Sequence, residues 1–177
     1  MAQRFVPRDR IARELRLAVV LAEDQRFPLH HGFDLAAMRR AWAEHRSGRR
    51  QRGASTITQQ LAKNLMLWPA RSFVRKGLEA WLAAWLELLW SKQRILEVYL
   101  NVVQFGPCVF GAEAAAERYF ATSAADLSPG QAALLAAVLP SPRRLRAYDP
   151  GPYAQERTGE ILGLMEELER APHLRGL

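Results

Sequence analysis

Residues 74–89 read VRKGLEAWLAAWLELL and carry the longest helical pattern in the chain. Their apolar side chains recur in steps of three and four residues, which is the spacing of one face of an α-helix. The apolar members are Val74, Leu78, Trp81, Leu82, Trp85, Leu86 and Leu89. We therefore predict that the longest helix lies here, that it is central in the fold, and that little of its surface faces bulk water.

The preceding segments continue the helical pattern. Residues 11–22 place apolar side chains on one face and end at the acidic pair Glu23-Asp24. Asp34 is positioned to cap a second helix, and Ser55 to cap a third, because short oxygen-bearing side chains satisfy the first free N–H groups of a helix.

The following segments are also helical in pattern. Ser91 is positioned to begin a helix, residues 111–120 form a short alanine-rich one, and residues 153–169 form a last amphipathic one. Ser128 and Gln131 predict a capping box. Because no segment alternates apolar and polar residues convincingly, a sheet is not expected, and the whole pattern predicts a single all-α domain.

Composition limits the functional classes. The chain has 177 residues and a net charge of +7, so it is attracted to polyanions such as nucleic acid, anionic lipid or a phosphorylated substrate. Its one cysteine, Cys108, excludes an internal disulfide framework and a cysteine-based zinc site. We expect no signal peptide, and the longest uncharged run, residues 127–142, is too short for the ~20 apolar residues that a membrane span needs and contains three prolines.

The densest polar cluster combines three cations with one carboxylate on the long helix. Arg75 and Lys76 precede Glu79 by four and three residues, so they share its helical face, and Arg71 lies one turn earlier. One interpretation is a solvated row of surface ion pairs, worth only ~0.5 kcal/mol each. The other is a cationic site for phosphate with an embedded carboxylate, and the residues alone leave both open.

The acidic pair Glu23-Asp24 is a second candidate. A carboxyl group at a helix end beside aromatic residues can have its pKa raised by burial and serve as a general base, although an ordinary helix-end acid is the simpler interpretation. His30 and His31 lack partners at metal-ligand spacing and are interpreted as hydrogen-bonding residues of a turn. Asp24 would contact a divalent ion only if a substrate phosphate supplied other ligands.

Two further segments are polar. Residues 55–60, STITQQ, crowd hydroxyl and amide groups onto the start of a helix, which suits a sugar or an anion as well as simple capping. Residues 45–53 contain four arginines and no apolar side chain, which is typical of an exposed basic loop.

Five ordered blocks together resemble the family 51 peptidoglycan glycosyltransferases, the lipid II polymerases, in their monofunctional form. The blocks are EDQRFPLHHG at 23–32, GASTITQQLAKN at 53–64, RKGLE at 75–79, KQRILEVYLN at 92–101 and AALLAAVLP at 132–140. They span most of the chain, so the resemblance is far more specific than a single short motif.

The resemblance implies a lysozyme-like globular head with a small mobile jaw subdomain at about residues 33–70, facing the membrane. It also implies roles for individual residues. Glu23 would be the catalytic base and Glu79 a second essential carboxylate. The predicted substrate and pyrophosphate contacts are Lys63, Arg71, Arg75, Lys76, Ser55, Gln60, Thr58 and Asp24. No organic cofactor is implied, and a Mg²⁺ or Mn²⁺ ion at Asp24 or Glu79 is left open.

The implied reaction joins the growing lipid-linked glycan to lipid II with inversion at the anomeric carbon, and it is a target of moenomycin-type inhibitors. By the same resemblance, we expect an N-terminal transmembrane anchor that this chain lacks, and a location on the periplasmic face of the bacterial inner membrane. Cell-wall or division proteins are candidate partners, and no nucleic-acid partner is expected.

Two positions depart from the family pattern. Cys108 and Ala121 stand where the family usually has glycine, so the loop backbone is in doubt if those sites need a positive φ.

Two alternatives are open. The nearest is a lysozyme-like hydrolase or lytic transglycosylase, which also uses a glutamate but does not need the cations around Glu79. The more distant one is a basic helical nucleic-acid-binding module, which leaves Glu23 and residues 55–60 without a role.

Overall fold

The computed structural model describes residues 4–46, 55–66 and 72–168, and eight α-helices account for most of them. The helices are α1 (Arg13–Glu23), α2 (Leu35–Arg46), α3 (Ile57–Met66), α4 (Phe73–Leu89), α5 (Lys92–Val102), α6 (Ala112–Phe120), α7 (Pro129–Val138) and α8 (Pro152–Leu168). Short 3₁₀ turns cover Arg8–Arg10 and Phe27–Leu29. The predicted helical class is confirmed.

The core forms where α1 packs against α7 and α8, and where α3 packs against α4 and α5. Helix α1 contributes fully buried side chains such as Leu15 and Val19, each worth about 1.5–3 kcal/mol on burial. Helix α7 packs against α1 and α8, and its Ala132, Ala133 and Ala136 are all fully buried. Because alanine side chains are small, these helices can approach closely, and the end of α1 is fixed against the core.

Helix caps follow the predicted pattern in three cases. The Ala37 amide donates to Asp34, the Arg94 amide donates to Ser91, and Ser128 forms a capping box with Gln131. These caps are local, so they could be recognised from neighbouring residues alone.

The prediction that Ser55 caps α3 is wrong. Thr56, not Ser55, accepts the Gln59 amide, and the Gln59 side chain accepts the Thr56 amide in return, each at 3.2 Å. The Thr56 hydroxyl also donates to the Gly32 carbonyl at 2.6 Å. That tertiary contact selects Thr56 over its neighbour.

A small antiparallel hairpin corrects the expectation that no sheet would form. Strands β1 (Gln104–Gly106) and β2 (Val109–Phe110) pair Gln104 with Phe110 and Gly106 with Val109. Strands this short are below the four residues over which an alternating pattern can be recognised.

Helix α4 is much more exposed than its apolar pattern predicted. Its buried residues are Glu79, Ala83 and Leu86, which lie on one face. Phe73 is 98% exposed and Trp81 59%, with Trp85, Leu88 and Leu89 also exposed. The prediction that little of this helix faces water is wrong, because the described parts of the chain cover only one side of it.

Cys108 and Ala121, the two residues that replace the glycines of the family pattern, both adopt a positive φ. Cys108 has φ 59° in the hairpin turn and Ala121 has φ 53° at the end of α6. Left-handed backbone carries a strain of about 1–2 kcal/mol for a residue with a Cβ. The condition raised from the sequence therefore holds at both sites, and each residue adopts the left-handed backbone that glycine would adopt more easily.

Part of the predicted jaw lies outside the described residues. This part comprises residues 47–54, which include most of the arginine-rich segment, and residues 67–70. Arg71, which follows the predicted jaw, also lies outside the described residues, and the jaw boundaries stay a prediction. Within the described residues, no helix combines the length and the apolar composition required to cross a bilayer.

Candidate active site

Glu23 is the last residue of α1, and its carboxylate is partly buried. Nε2 of Gln60, on α3, donates a hydrogen bond to Oε2 of Glu23 at 2.7 Å. Burial raises the pKa of Glu23, and the Asp24 charge acts in the same direction. The Gln60 hydrogen bond and the charges of Arg157 and Lys63 act against this rise. A carboxyl group with a raised pKa and partial access to solvent can take up a proton.

Asp24 has protein partners at both of its oxygens. Nε2 of His30 donates to them at 2.9 and 3.1 Å, and the Ile57 amide donates to Oδ2 at 3.0 Å. Asp24 thus joins the end of α1 to the first turn of α3 across a buried contact. The hydrogen-bonding interpretation of His30 is confirmed, while the predicted substrate contact of Asp24 stays a prediction.

The carboxylate of Glu79 is embedded between two cations of α4. Nη1 of Arg75 donates to Oε2 at 2.9 Å, and Nζ of Lys76 donates to Oε1. Glu79 is only 3% exposed, whereas half of the Lys76 side chain faces solvent. This arrangement is not the solvated row of ion pairs, because a buried carboxylate needs its cations to offset the loss of hydration.

The polar side chains of α3 separate into two groups. Gln60 and Lys63 lie three residues apart on the face near Glu23, and Lys63 is exposed. Thr58 is fully buried and donates to Oε1 of Glu87 at 2.5 Å, which ties α3 to α4. Ser55 is partly buried ahead of the helix. Gln60 and Lys63 are therefore the residues of this helix that the structure brings to Glu23.

Two residues near Glu23 were not predicted as site residues. The hydroxyl of Tyr99, on α5, donates to Oε1 of Gln60 at 2.8 Å. Arg157, on α8, donates from Nη2 to the Ala22 carbonyl at 3.3 Å. Tyr99 lies within one of the five blocks, which was a usable signal. Arg157 lies on the polar side of an ordinary amphipathic pattern and offered none.

The described residues do not form a resident metal site. They contain no group of three or more potential side-chain ligands close enough to hold an ion. Both oxygens of Glu79 accept from cations, and both oxygens of Asp24 contact His30. The metal role left open for these two residues stays a prediction.

Comparison with known proteins agrees with the five blocks. A sequence family described as Transglycosylase matches residues 1–166. A biosynthetic peptidoglycan transglycosylase of Xylella fastidiosa (strain 9a5c) is 54% identical over 166 residues, which cover 94% of this chain and 68% of that protein. Proteins with the same name from Xanthomonas axonopodis pv. citri and Aeromonas hydrophila are 58% and 53% identical. Those alignments cover 86% and 93% of this chain, and 62% and 70% of the two relatives.

Proposed function

The chain belongs to the transglycosylase family and is a peptidoglycan glycosyltransferase of the cell envelope. From that premise we propose that it polymerises lipid II with Glu23 as the general base. The observation that carries the proposal is the Glu23 carboxylate. It is partly buried, its pKa is raised by that burial, and it lies beside Gln60 and Lys63, two polar residues of α3.

The proposed reaction is a single displacement. The 4-hydroxyl of the GlcNAc unit of lipid II attacks the anomeric carbon of the growing glycan, which is held through its α-linked lipid pyrophosphate. The hydroxyl proton moves to Glu23, and the bond from the anomeric carbon to the pyrophosphate oxygen breaks with its electron pair. Undecaprenyl pyrophosphate leaves, and the new β-1,4 bond has the inverted configuration that one displacement produces.

The cations of α3 and α4 suit the leaving group. Negative charge grows on the pyrophosphate as the bond breaks, and positive charges already held in place stabilise it without reorganisation. We assign this role to Lys63, Arg75 and Lys76, and by family resemblance to Arg71. Glu79 orients Arg75 and Lys76 by accepting from both. Ser55, Thr58 and Asp24 are assigned to the surrounding substrate cleft by resemblance alone.

We propose that the apolar surface of α2 and α4 faces the periplasmic surface of the inner membrane. It is defined by exposed side chains on both helices, namely Leu35, Met38, Trp42, Phe73, Val74, Trp81, Trp85, Leu88 and Leu89. Groups of exposed apolar side chains on a soluble protein commonly mark a membrane or protein contact, and tryptophan is favoured where hydrocarbon meets water. The net charge of +7 adds attraction to anionic lipid. Cell-wall or division proteins as further partners stay a prediction.

Gel-resolved polymerisation of lipid II in detergent tests the catalytic proposal. We expect long glycan from the parent chain, none from Glu23→Gln, and inhibition by a moenomycin-type compound. Glu166→Gln, an exposed change on α8, is the matched control and should retain activity. Digestion of preformed glycan without polymerisation would favour the hydrolase alternative instead.

A further inference from the structure

A chain of two hydrogen bonds crosses three helices and ends at Glu23. The hydroxyl of Tyr99 on α5 donates to Oε1 of Gln60 on α3, and Nε2 of Gln60 donates to Oε2 of Glu23 on α1. The two distances are 2.8 and 2.7 Å. Tyr99 is completely buried, so its hydroxyl has no bulk water to replace this contact.

The direction of each bond is fixed by chemistry. An amide has one end that donates and one that only accepts, so the contact at one end decides what the other end offers. Burial raises the pKa of Tyr99 well above its usual value, with smaller contributions from the charges of Glu23 and Asp24. The phenol therefore stays protonated, and its O–H group donates a hydrogen bond to Oε1 of Gln60. A reversed amide would instead set its oxygen against the Glu23 carboxylate, which is repulsive unless Glu23 is protonated.

We propose that Tyr99 is a positioning residue, whose hydroxyl fixes the Gln60 amide so that an N–H group faces Glu23. This inference rests on the proposed role of Glu23 as the base. It adds that the ionised base depends on a buried side chain that does not contact the reacting atoms. Tyr99 acts through orientation, because a neutral phenol adds no charge.

The other groups that face Glu23 set the background for this effect. Lys63 on α3 and Arg157 on α8 lower its pKa through their charges, while the neighbouring Asp24 raises it. Helix α7 also packs against α1, and it carries no ionisable side chain between Pro129 and Val138. None of these charges changes when the Tyr99 hydroxyl is removed, so the effect of that removal can be measured separately.

The substitution Tyr99→Phe keeps the buried ring and removes only the hydroxyl. The Gln60 amide then loses the contact that holds Oε1 away from Glu23, so its reversal is opposed only by the Glu23 charge. It also loses the polarisation that one hydrogen bond lends to the next. We expect the pKa of Glu23 to rise by up to about one unit, a shift of the size that a hydrogen bond to a charged group can produce. The acidic limb of the kcat/KM profile should move to higher pH by the same amount.

The direct measurement is an NMR titration of the Glu23 side-chain carboxyl carbon in the labelled full chain without substrate, assigned by its loss in Glu23→Gln. Tyr119→Phe, the same chemical change on α6, is the matched control and should leave the Glu23 titration unchanged. An unchanged Glu23 pKa in folded Tyr99→Phe would overturn the inference. So would an activity loss that is equal at every pH, because that pattern indicates a structural role only.

A second variant tests the same link from the other side. Gln60→Met removes the amide and leaves the Tyr99 ring in place, so the pKa of Glu23 should rise, and adding Tyr99→Phe should produce no further rise. A further rise in the double variant would contradict action through Gln60. Because the titration needs no substrate, the result for the Glu23 pKa remains valid even if the parent chain fails to polymerise lipid II. That failure would count against the proposed function and not against the role of Tyr99.

Discussion

Glu23 combines two opposing requirements. The proposed general base must be ionised, yet this carboxylate lies in the C-terminal turn of α1, where the backbone carbonyls at the helix end disfavour negative charge. Arg157 relieves part of this conflict, because its guanidinium donates to the Ala22 carbonyl and its charge lowers the pKa of Glu23. The pKa of Glu23 is still raised overall, because burial has the largest effect on it.

Glu23→Gln should therefore stabilise the fold while it abolishes catalysis. A carboxyl group whose pKa is higher in the folded than in the unfolded chain makes stability fall as pH rises through that interval, because the folded state binds more protons there. Above the interval the destabilisation is fully present, and glutamine removes it. We expect a gain on the order of 1 kcal/mol in the free energy of unfolding at pH 8, the usual size for such changes.

Urea unfolding from pH 4 to pH 8 checks this expectation. The gain of Glu23→Gln over the parent should shrink as pH falls and Glu23 becomes protonated. Glu166→Gln, at an exposed position, should give no such pH-dependent difference. A gain that is constant over this range would mean that ionisation of Glu23 is not its cause.

The start of α3 is the element on which the site depends. Its first amides are satisfied by Thr56 and by the Asp24 carboxylate, and the Thr56 hydroxyl also reaches Gly32. Because Gln60 lies one turn further along, this cap sets the position from which its amide reaches Glu23. The start of α3 thus links helix capping to the position of the hydrogen bond between Gln60 and Glu23.

Thr56→Ala should lower the free energy of unfolding by about 2–3 kcal/mol. It removes a helix cap, worth about 1 kcal/mol, and leaves the Gly32 carbonyl without its hydroxyl donor in a buried place. Ser55→Ala is the matched control and should stay within about 0.5 kcal/mol, since Ser55 does not cap the helix. Equal losses from the two variants, measured by chemical denaturation, would contradict the assignment of the cap to Thr56.

Across the whole molecule, local patterns were predictable and long-range contacts were not. The caps at Asp34, Ser91 and Ser128 depend on residues three positions away, so the sequence reveals them directly. The Tyr99 hydroxyl reaches Gln60 across 39 residues, and Arg157 reaches Ala22 across 135. No spacing rule links residues so far apart in the chain.

The exposed side of α4 illustrates the same limit. Its apolar periodicity predicts a helix, but the periodicity cannot say which of its faces a neighbour covers. Glu79 and Leu86 face the protein, whereas Trp81 and Trp85 face outward and contact each other edge to face, with ring centroids 6.0 Å apart. This helix buries a charged side chain and exposes aromatic ones, which is the reverse of the usual preference for apolar residues inside and charged residues outside.

Replacing both outward tryptophans, Trp81→Ser with Trp85→Ser, should weaken binding to anionic lipid vesicles by roughly tenfold or more. The two substitutions remove two aromatic side chains from the contact with lipid, and each 1.4 kcal/mol of binding free energy that is lost weakens the affinity tenfold. Tyr153→Ser, an exposed aromatic on α8, is the matched control. Co-sedimentation with vesicles of phosphatidylglycerol and phosphatidylcholine measures the effect, and unchanged binding of the double variant would place the membrane contact elsewhere.

The bond from the Ile57 amide to Asp24 has a consequence for hydrogen exchange. Amides in the first turn of a helix usually exchange quickly with deuterium, because they have no partner within the helix. The Ile57 amide is instead bound to a buried carboxylate that also holds His30. Its proton exchanges when the bond to Asp24 opens, so this one amide reports, in deuterated water, how often the C-terminal end of α1 and the first turn of α3 move apart.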